Sequence, residues 1–228
     1  MEITWFGHSC FRLRDRDVVV ITDPFDKSLG YELPRARADI VTVSHDHPHH
    51  NSLLAVKGEF KVVNSPGEYE IKSVFITGIA NYPSRRQRKN GGDGDDQRSI
   101  IFVFEFDDLT VCHLGNLAQV PTQTQVEELS NVDVLLVPVG GGTSLNAAQA
   151  AEIISLVEPY IVIPMHYTVP AQDKTGATPL PQAGIVKLDK VDKFLKEMGV
   201  ARVEPVDVLK VTKNSLPEET QVVVLNPK

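Results

Sequence analysis

The chain reads as an α/β fold in which two β-sheets pack together with helices on their outer faces, an αββα arrangement. Three features predict it. Short runs of apolar and β-branched residues recur in two batches, one before residue 80 and one after residue 98. Single amphipathic stretches separate the later runs. Histidines fall directly after apolar runs, at His8, His45 and His166, so polar chemistry gathers at strand ends. The 228 residues, 42% of them hydrophobic, suit one domain spanning 1–228 with a substantial core.

Ile3-Thr4-Trp5-Phe6 reads as a first strand ending at Gly7, and Ser9 to Leu13 alternates as a second. Val18-Val19-Val20-Ile21 is a continuous apolar run, hence buried on both faces, and it delivers Asp23 to a strand end. His8 and Asp23 are therefore candidates to support a metal or to touch a substrate. Ala38 to Val43 reads as another buried strand, followed at once by Ser44-His45-Asp46-His47-Pro48-His49-His50-Asn51. Four of the seven histidines lie within six positions there. Imidazole is the commonest metal ligand and is largely neutral at pH 7, so a cation that organises His45, His47, His49 and His50 is the expected explanation.

Ser52 to Val56 predicts a short helix, Phe60 to Val63 a strand, and Tyr69 to Lys72 with Val74 to Ile79 a hairpin. Residues 83–98 carry no apolar periodicity and read as an exposed loop. Its basic run, Arg85-Arg86-Gln87-Arg88-Lys89, is offset by Asp93, Asp95 and Asp96. With a formal net charge of −7, no nucleic-acid or anionic-membrane partner is expected. Ser99 to Phe106 and Leu109 to His113 form a second hairpin around Asp107-Asp108 and lead to Leu114-Gly115-Asn116. Thr122 caps a helix through Ser130, with Gln125 as capping-box partner. Val132 to Val139 is a strand. Gly140-Gly141-Gly142-Thr143 reads as a tight turn, since a phosphate cradle of P-loop type would need a lysine that is not there.

Asn146 caps a helix over 147–157 that Pro159 closes, and Tyr160 to Pro164 is a buried strand ending at Met165-His166-Tyr167. Residues 168–184 form a polar loop. Lys187 to Met198 has the apolar spacing of a helix, and short strands at Val206 to Val211 and Gln221 to Leu225 end the chain. Two cysteines, Cys10 and Cys112, both in apolar settings, make no disulfide scaffold. The first residues lack the pattern of a secretory signal and no apolar run reaches the length of a membrane span, so a soluble, cytoplasmic protein is expected.

Taken together, Ile3 to Phe11, Thr22-Asp23-Pro24, the histidine stretch, Ser65 to Glu70, His113-Leu114-Gly115, Val137 to Gly141 and Ile163 to Tyr167 resemble, in order, the metallo-β-lactamase superfamily. The nearer resemblance is to its metal-dependent hydrolases akin to L-ascorbate-6-phosphate lactonase. It implies a four-layer αβ/βα sandwich with metals held by loops at one edge of the sheets. It also implies a hydrolase in which metal-activated water attacks an ester-like, lactone or phosphoester bond of a small-molecule substrate, and it permits a homo-oligomer.

Departures from the family pattern bear on the metal count. The motif His-x-His-x-Asp-His is here His45-Asp46-His47-Pro48-His49-His50, with His49 in the aspartate's place. Near Asn81-Tyr82-Pro83 the family has a histidine that this chain lacks, and Asn116 stands where the family has a bridging aspartate. His45 and His47 remain of one metal position; His50 and His166 remain of the other, with His49 beside them. Two cations about 3.5–4 Å apart would lose the carboxylates that compensate their charge. The expectation is one zinc or other divalent ion per chain, held by His50, His166 and one or two of His45, His47 and His49. His8, Asp23 and Asn116 are the expected catalytic neighbours. The alternative is a metal-poor descendant acting as a ligand-binding or interaction module.

Overall fold

A computed structural model describes residues 1–29, 32–82, 99–169 and 187–228. The predicted loop at 83–98, and all but its first two residues of the loop at 168–184, lie outside the described residues.

The chain begins with an antiparallel run, β1 (Glu2–Gly7), β2 (Cys10–Asp15) and β3 (Val18–Thr22). The short β4 (Ala36–Arg37) leads to β5 (Ile40–Thr42), which lies parallel to β3. Then come β6 (Val56–Lys57), β7 (Lys61–Val63), β8 (Gly67–Ile71) and β9 (Val74–Asn81). β10 (Ser99–Glu105) and β11 (Thr110–His113) form the second hairpin. The remainder alternates: α1 (Gln123–Glu128), β12 (Val134–Pro138), α2 (Ala147–Val157), β13 (Ile161–Met165), α3 (Val191–Glu197), β14 (Leu209–Lys210) and β15 (Gln221–Val222).

These strands assort into a six-stranded sheet of order β14-β1-β2-β3-β5-β7 and a seven-stranded sheet of order β15-β13-β12-β11-β10-β9-β8. A continuous apolar core lies between them, with Trp5, Phe11 and Leu13 from the first sheet meeting Phe102, Phe104 and Leu136 from the second. Outside the second sheet, α2 buries Ala147, Ala150, Ile153 and Ile154. Outside the first, Phe6, Cys10, Ile21 and Val41 are covered by Phe25, Ala36, Ala38 and Val56. That layer is made of 3-10 turns, including one at Leu53–Ala55 where a short helix was expected, and of the β4–β6 ladder.

The capping box expected at Thr122 with Gln125 is present, and the expected Asn146 cap proves to be a capping box as well, with Gln149. The helix expected from Lys187 begins only at Val191. Tertiary bonds override propensity in the preceding turn. The Asp189 amide donates to Gly140 O at 2.8 Å, and its carbonyl accepts from Thr168 N at 2.9 Å. Those two bonds pin the turns around the triple glycine and the residues after β13.

One glycine there has no room for a side chain. A Cβ on Gly140 would lie 2.2 Å from the carbonyl oxygen of His166. Gly140→Ala is therefore expected to destabilise the fold by about 1–3 kcal/mol or more, read from urea unfolding, because backbone rather than a flexible side chain blocks the added methyl.

Candidate metal centre

Parallel strands set the position of the site. β3 and β5 run parallel in one sheet and β11, β12 and β13 in the other, so their carboxyl ends meet at one edge of the sandwich. Asp23 follows β3, the histidine stretch follows β5, Asn116 follows β11, and His166 directly follows β13. His8 joins them from the tight connection between β1 and β2. The two sheets are tied at this edge by backbone, since His166 N donates to His8 O at 3.0 Å.

Asp23 organises the first-sheet side. It is fully buried, and its carboxylate accepts from the Ser44 amide at 2.7 Å, the Ser44 hydroxyl at 2.5 Å and His50 Nδ1 at 2.9 Å. Burial pushes its pKa up, but the hydrogen bond and charge of His50, with help from His113 and Ser44, leave it below the ordinary carboxylate value. An ionised Asp23 makes His50 the donor through Nδ1–H, which puts the ring's lone pair on Nε2. His166 is fixed in the same way on the other side. Its Nδ1 lies 3.1 Å from Ser144 Oγ, whose proton goes to the Gly141 carbonyl at 3.1 Å. The hydroxyl thus accepts from Nδ1–H, and the His166 lone pair is also on Nε2. Burial first, and the neighbouring His50 second, lower the His166 pKa to about 3, so the ring is neutral.

His8, His50 and His166 form the one group of three or more potential ligands found among the described residues. One ligand nitrogen from each lies within 4.8 Å of the others, and all three residues are buried. Ring centroids are 4.1 Å apart for His8–His166, 4.9 Å for His8–His50 and 6.0 Å for His50–His166. His8 is held neutral by burial and by the surrounding imidazoles. Three of the residues here, His8, Asp23 and His166, adopt positive φ of 51°, 41° and 53°. Such backbone is uncommon outside glycine and concentrates at functional positions.

The match of a sequence profile decides the family: the profile described as "Beta-lactamase superfamily domain" covers residues 2–166. The chain belongs to the metallo-β-lactamase superfamily. Within it, the chain is 30% identical over 190 residues to a UPF0173 metal-dependent hydrolase of Methanoculleus marisnigri, an alignment covering 75% of this chain and 83% of the relative. It is 26% identical over 207 residues to one from Archaeoglobus fulgidus, covering 76% and 87%. A candidate Zn-dependent hydrolase of the superfamily from Thermotoga maritima superposes with a TM-score of 0.74 at 37% identity, covering 98% of this chain and 97% of that one. This superfamily member is accordingly a candidate metal-dependent hydrolase with an αββα fold.

Other residues expected from sequence lie at the same edge but outside the trio. His45 and His47 stack with centroids 5.8 Å apart, and His45 lies 5.5 Å from His50. His49 is half-buried and its Nε2 is 2.9 Å from Ser28 Oγ, which draws the ring toward the loop after β3. Burial, then His47 and His50, lower its pKa. Asn116 is 6% exposed, and its Oδ1 has no hydrogen-bond partner among the described residues. It is held at the site because Gly115, at φ 58°, packs against Ser44 so closely that a Cβ would lie 2.4 Å from Ser44 Cβ. Sequence reading missed Ser144 and Ser28, which fix His166 and His49. Neither carries a signal of its own, since each is a lone serine in a turn.

Removing the Asp23 carboxylate would strand three buried donors. Asp23→Ala is expected to cost about 3 kcal/mol in urea unfolding of metal-free protein, with Asp23→Asn costing less because one oxygen still accepts from Ser44.

Proposed function

We propose that the protein is a hydrolase of small-molecule substrates that uses one divalent cation, zinc or a chemical relative, at this edge, and that the bond cleaved is ester-like, a lactone or a phosphoester. The observation that carries the reading is the matched pair His50 and His166. Each comes from a different sheet, each gives its Nδ1–H to a fixed acceptor, and each thereby bares Nε2 toward shared space. Buried imidazoles that offer a nitrogen lone pair suit a cation of zinc type, and burial holds His166 neutral.

When bound, the cation supplies Lewis acidity and lowers the pKa of water near it. The chain's own residues supply the rest. Asp23 and Ser144 keep the two rings in their tautomers, so ligand geometry is set before any cation arrives. Asn116 offers a bare carbonyl oxygen at the same edge, an acceptor for a hydrogen bond from water or substrate. Being uncharged, it leaves room for one cation's charge and does not balance two. A count of one follows from the donors: the trio contains no carboxylate, and Asp23 is turned away onto Ser44 and His50.

The test is elemental analysis and kinetics on protein stripped with a chelator and reloaded with zinc. About one zinc per chain is expected, with hydrolysis of p-nitrophenyl acetate, bis(p-nitrophenyl) phosphate or a simple lactone rising with zinc content. His50→Ala and His166→Ala should each lower kcat/KM by about a hundredfold or more. Protein that takes up no zinc would overturn the proposal.

A further inference from the structure

We propose that His8, from the β1–β2 connection, is the third ligand of that cation, and that the adjacent His45–His47 pair is not. This rests on the reading of a cation at His50 and His166 and names the residue that completes its donor set.

Local backbone is shaped to aim His8. The β1–β2 register shifts between Trp5 and Gly7, a bulge of the kind that re-aims a side chain at a sheet end. Gly7 then takes φ 111° and His8 takes φ 51°. The turn is clamped from both sides, because the His8 carbonyl accepts from Trp5 Nε1 at 3.0 Å and from His166 N at 3.0 Å. The second of these bonds locks the backbone of one proposed ligand to that of another. A backbone so constrained fixes where the His8 side chain leaves the main chain, at the edge shared with His166.

The ring's chemistry agrees. His8 is 7% exposed, yet its Nε2 has no hydrogen-bond partner among the described residues. An unpaired buried nitrogen costs about 1–3 kcal/mol, and a cation there would remove that cost. A bare nitrogen alone is not enough, since His113 Nδ1 is also buried without a partner. His113, however, donates Nε2–H to the Ser9 carbonyl at 2.8 Å and joins no group of converging ligands. His8 has both features: the unpaired nitrogen, and convergence with His50 and His166. His45 and His47 lie nearby but outside that group, and His47 is only half-buried.

The resulting donor set is three imidazole nitrogens with no carboxylate or thiolate. Such a set takes borderline cations, zinc, cobalt(II) or nickel(II), in preference to magnesium or calcium, and leaves a coordination position for water or substrate.

Cobalt(II) titration tests this, with visible d–d absorbance as the readout and zinc competition against a chromophoric chelator as the second measure. Wild-type protein should bind about one cobalt(II) with intense tetrahedral-type bands. His8→Ala should weaken binding about a hundredfold or more and change the spectrum. His8→Asn keeps a residue that tolerates positive φ, and it carries the test should the alanine variant fail to fold. The double variant His45→Ala with His47→Ala should stay within about threefold of wild type, since it removes none of the three donors. Wild-type affinity and spectrum in His8→Asn, or an equal loss in the double variant, would overturn the assignment of His8 while leaving the proposed function standing. Wild-type protein that binds neither metal would overturn both.

Discussion

A single buried carboxylate holds the first-sheet half of the site together. Asp23 has no solvent to hydrate it, so its charge must be met by donors, and the fold supplies three from the chain that follows β5. Its own amide completes the tie by donating to Thr42 O at 2.9 Å. The ends of β3 and β5 are thereby joined twice, once through backbone and once through the carboxylate. The histidine stretch starts from that junction, so His50 has a fixed origin and a fixed tautomer. Turn hydrogen bonds such as His50 N to His47 O at 2.7 Å shape the rest of the stretch, and Asp23 adds the tie that orients the His50 ring.

Between the sheets the decisive contact is smaller. His166 N reaches His8 O across the edge of the sandwich, while Gly115 carries no side chain where it meets Ser44 of the other sheet, and Gly140 none where it meets the backbone of His166. Each of these features is costly alone. Positive φ at three non-glycine residues and unpaired nitrogens in a buried space all lower the stability of the metal-free chain. At this edge three positive-φ residues coincide with the unpaired His8 Nε2 and Asn116 Oδ1, the pattern of a fold that gives up stability where it binds something.

Most strands were legible from sequence because burial on both faces leaves continuous apolar runs, as in Val18 to Ile21 and Val134 to Val137. Caps were legible because Thr122 and Asn146 act through side chains three residues away. The first turn expected before α3 was not, since the Asp189 hydrogen bonds to Gly140 O and from Thr168 N outrank helix propensity there. At the site, the histidine stretch announced itself by density. What density could not show was which rings converge. His8 and His50 are far apart in sequence, and a bulge and a left-handed residue bring them together. His49, adjacent to His50, is drawn instead to Ser28. Spacing reports neighbours along the chain, whereas ligation depends on where a strand ends.

The substitutions that separate this chain from the family pattern follow one electrostatic logic. A pair of close cations needs anionic ligands to offset their repulsion, and the positions of His49 and Asn116 offer none. A single cation needs less. On the proposed reading, three imidazole donors would bring no anionic charge to it, leaving its Lewis acidity little compensated. Asp23 would act one step removed, through the His50 ring it orients. On these terms the loss of carboxylates need not mean the loss of chemistry. In the proposed reading one less compensated charge would take the place of a bridged pair, beside an N-terminal turn brought against the second sheet.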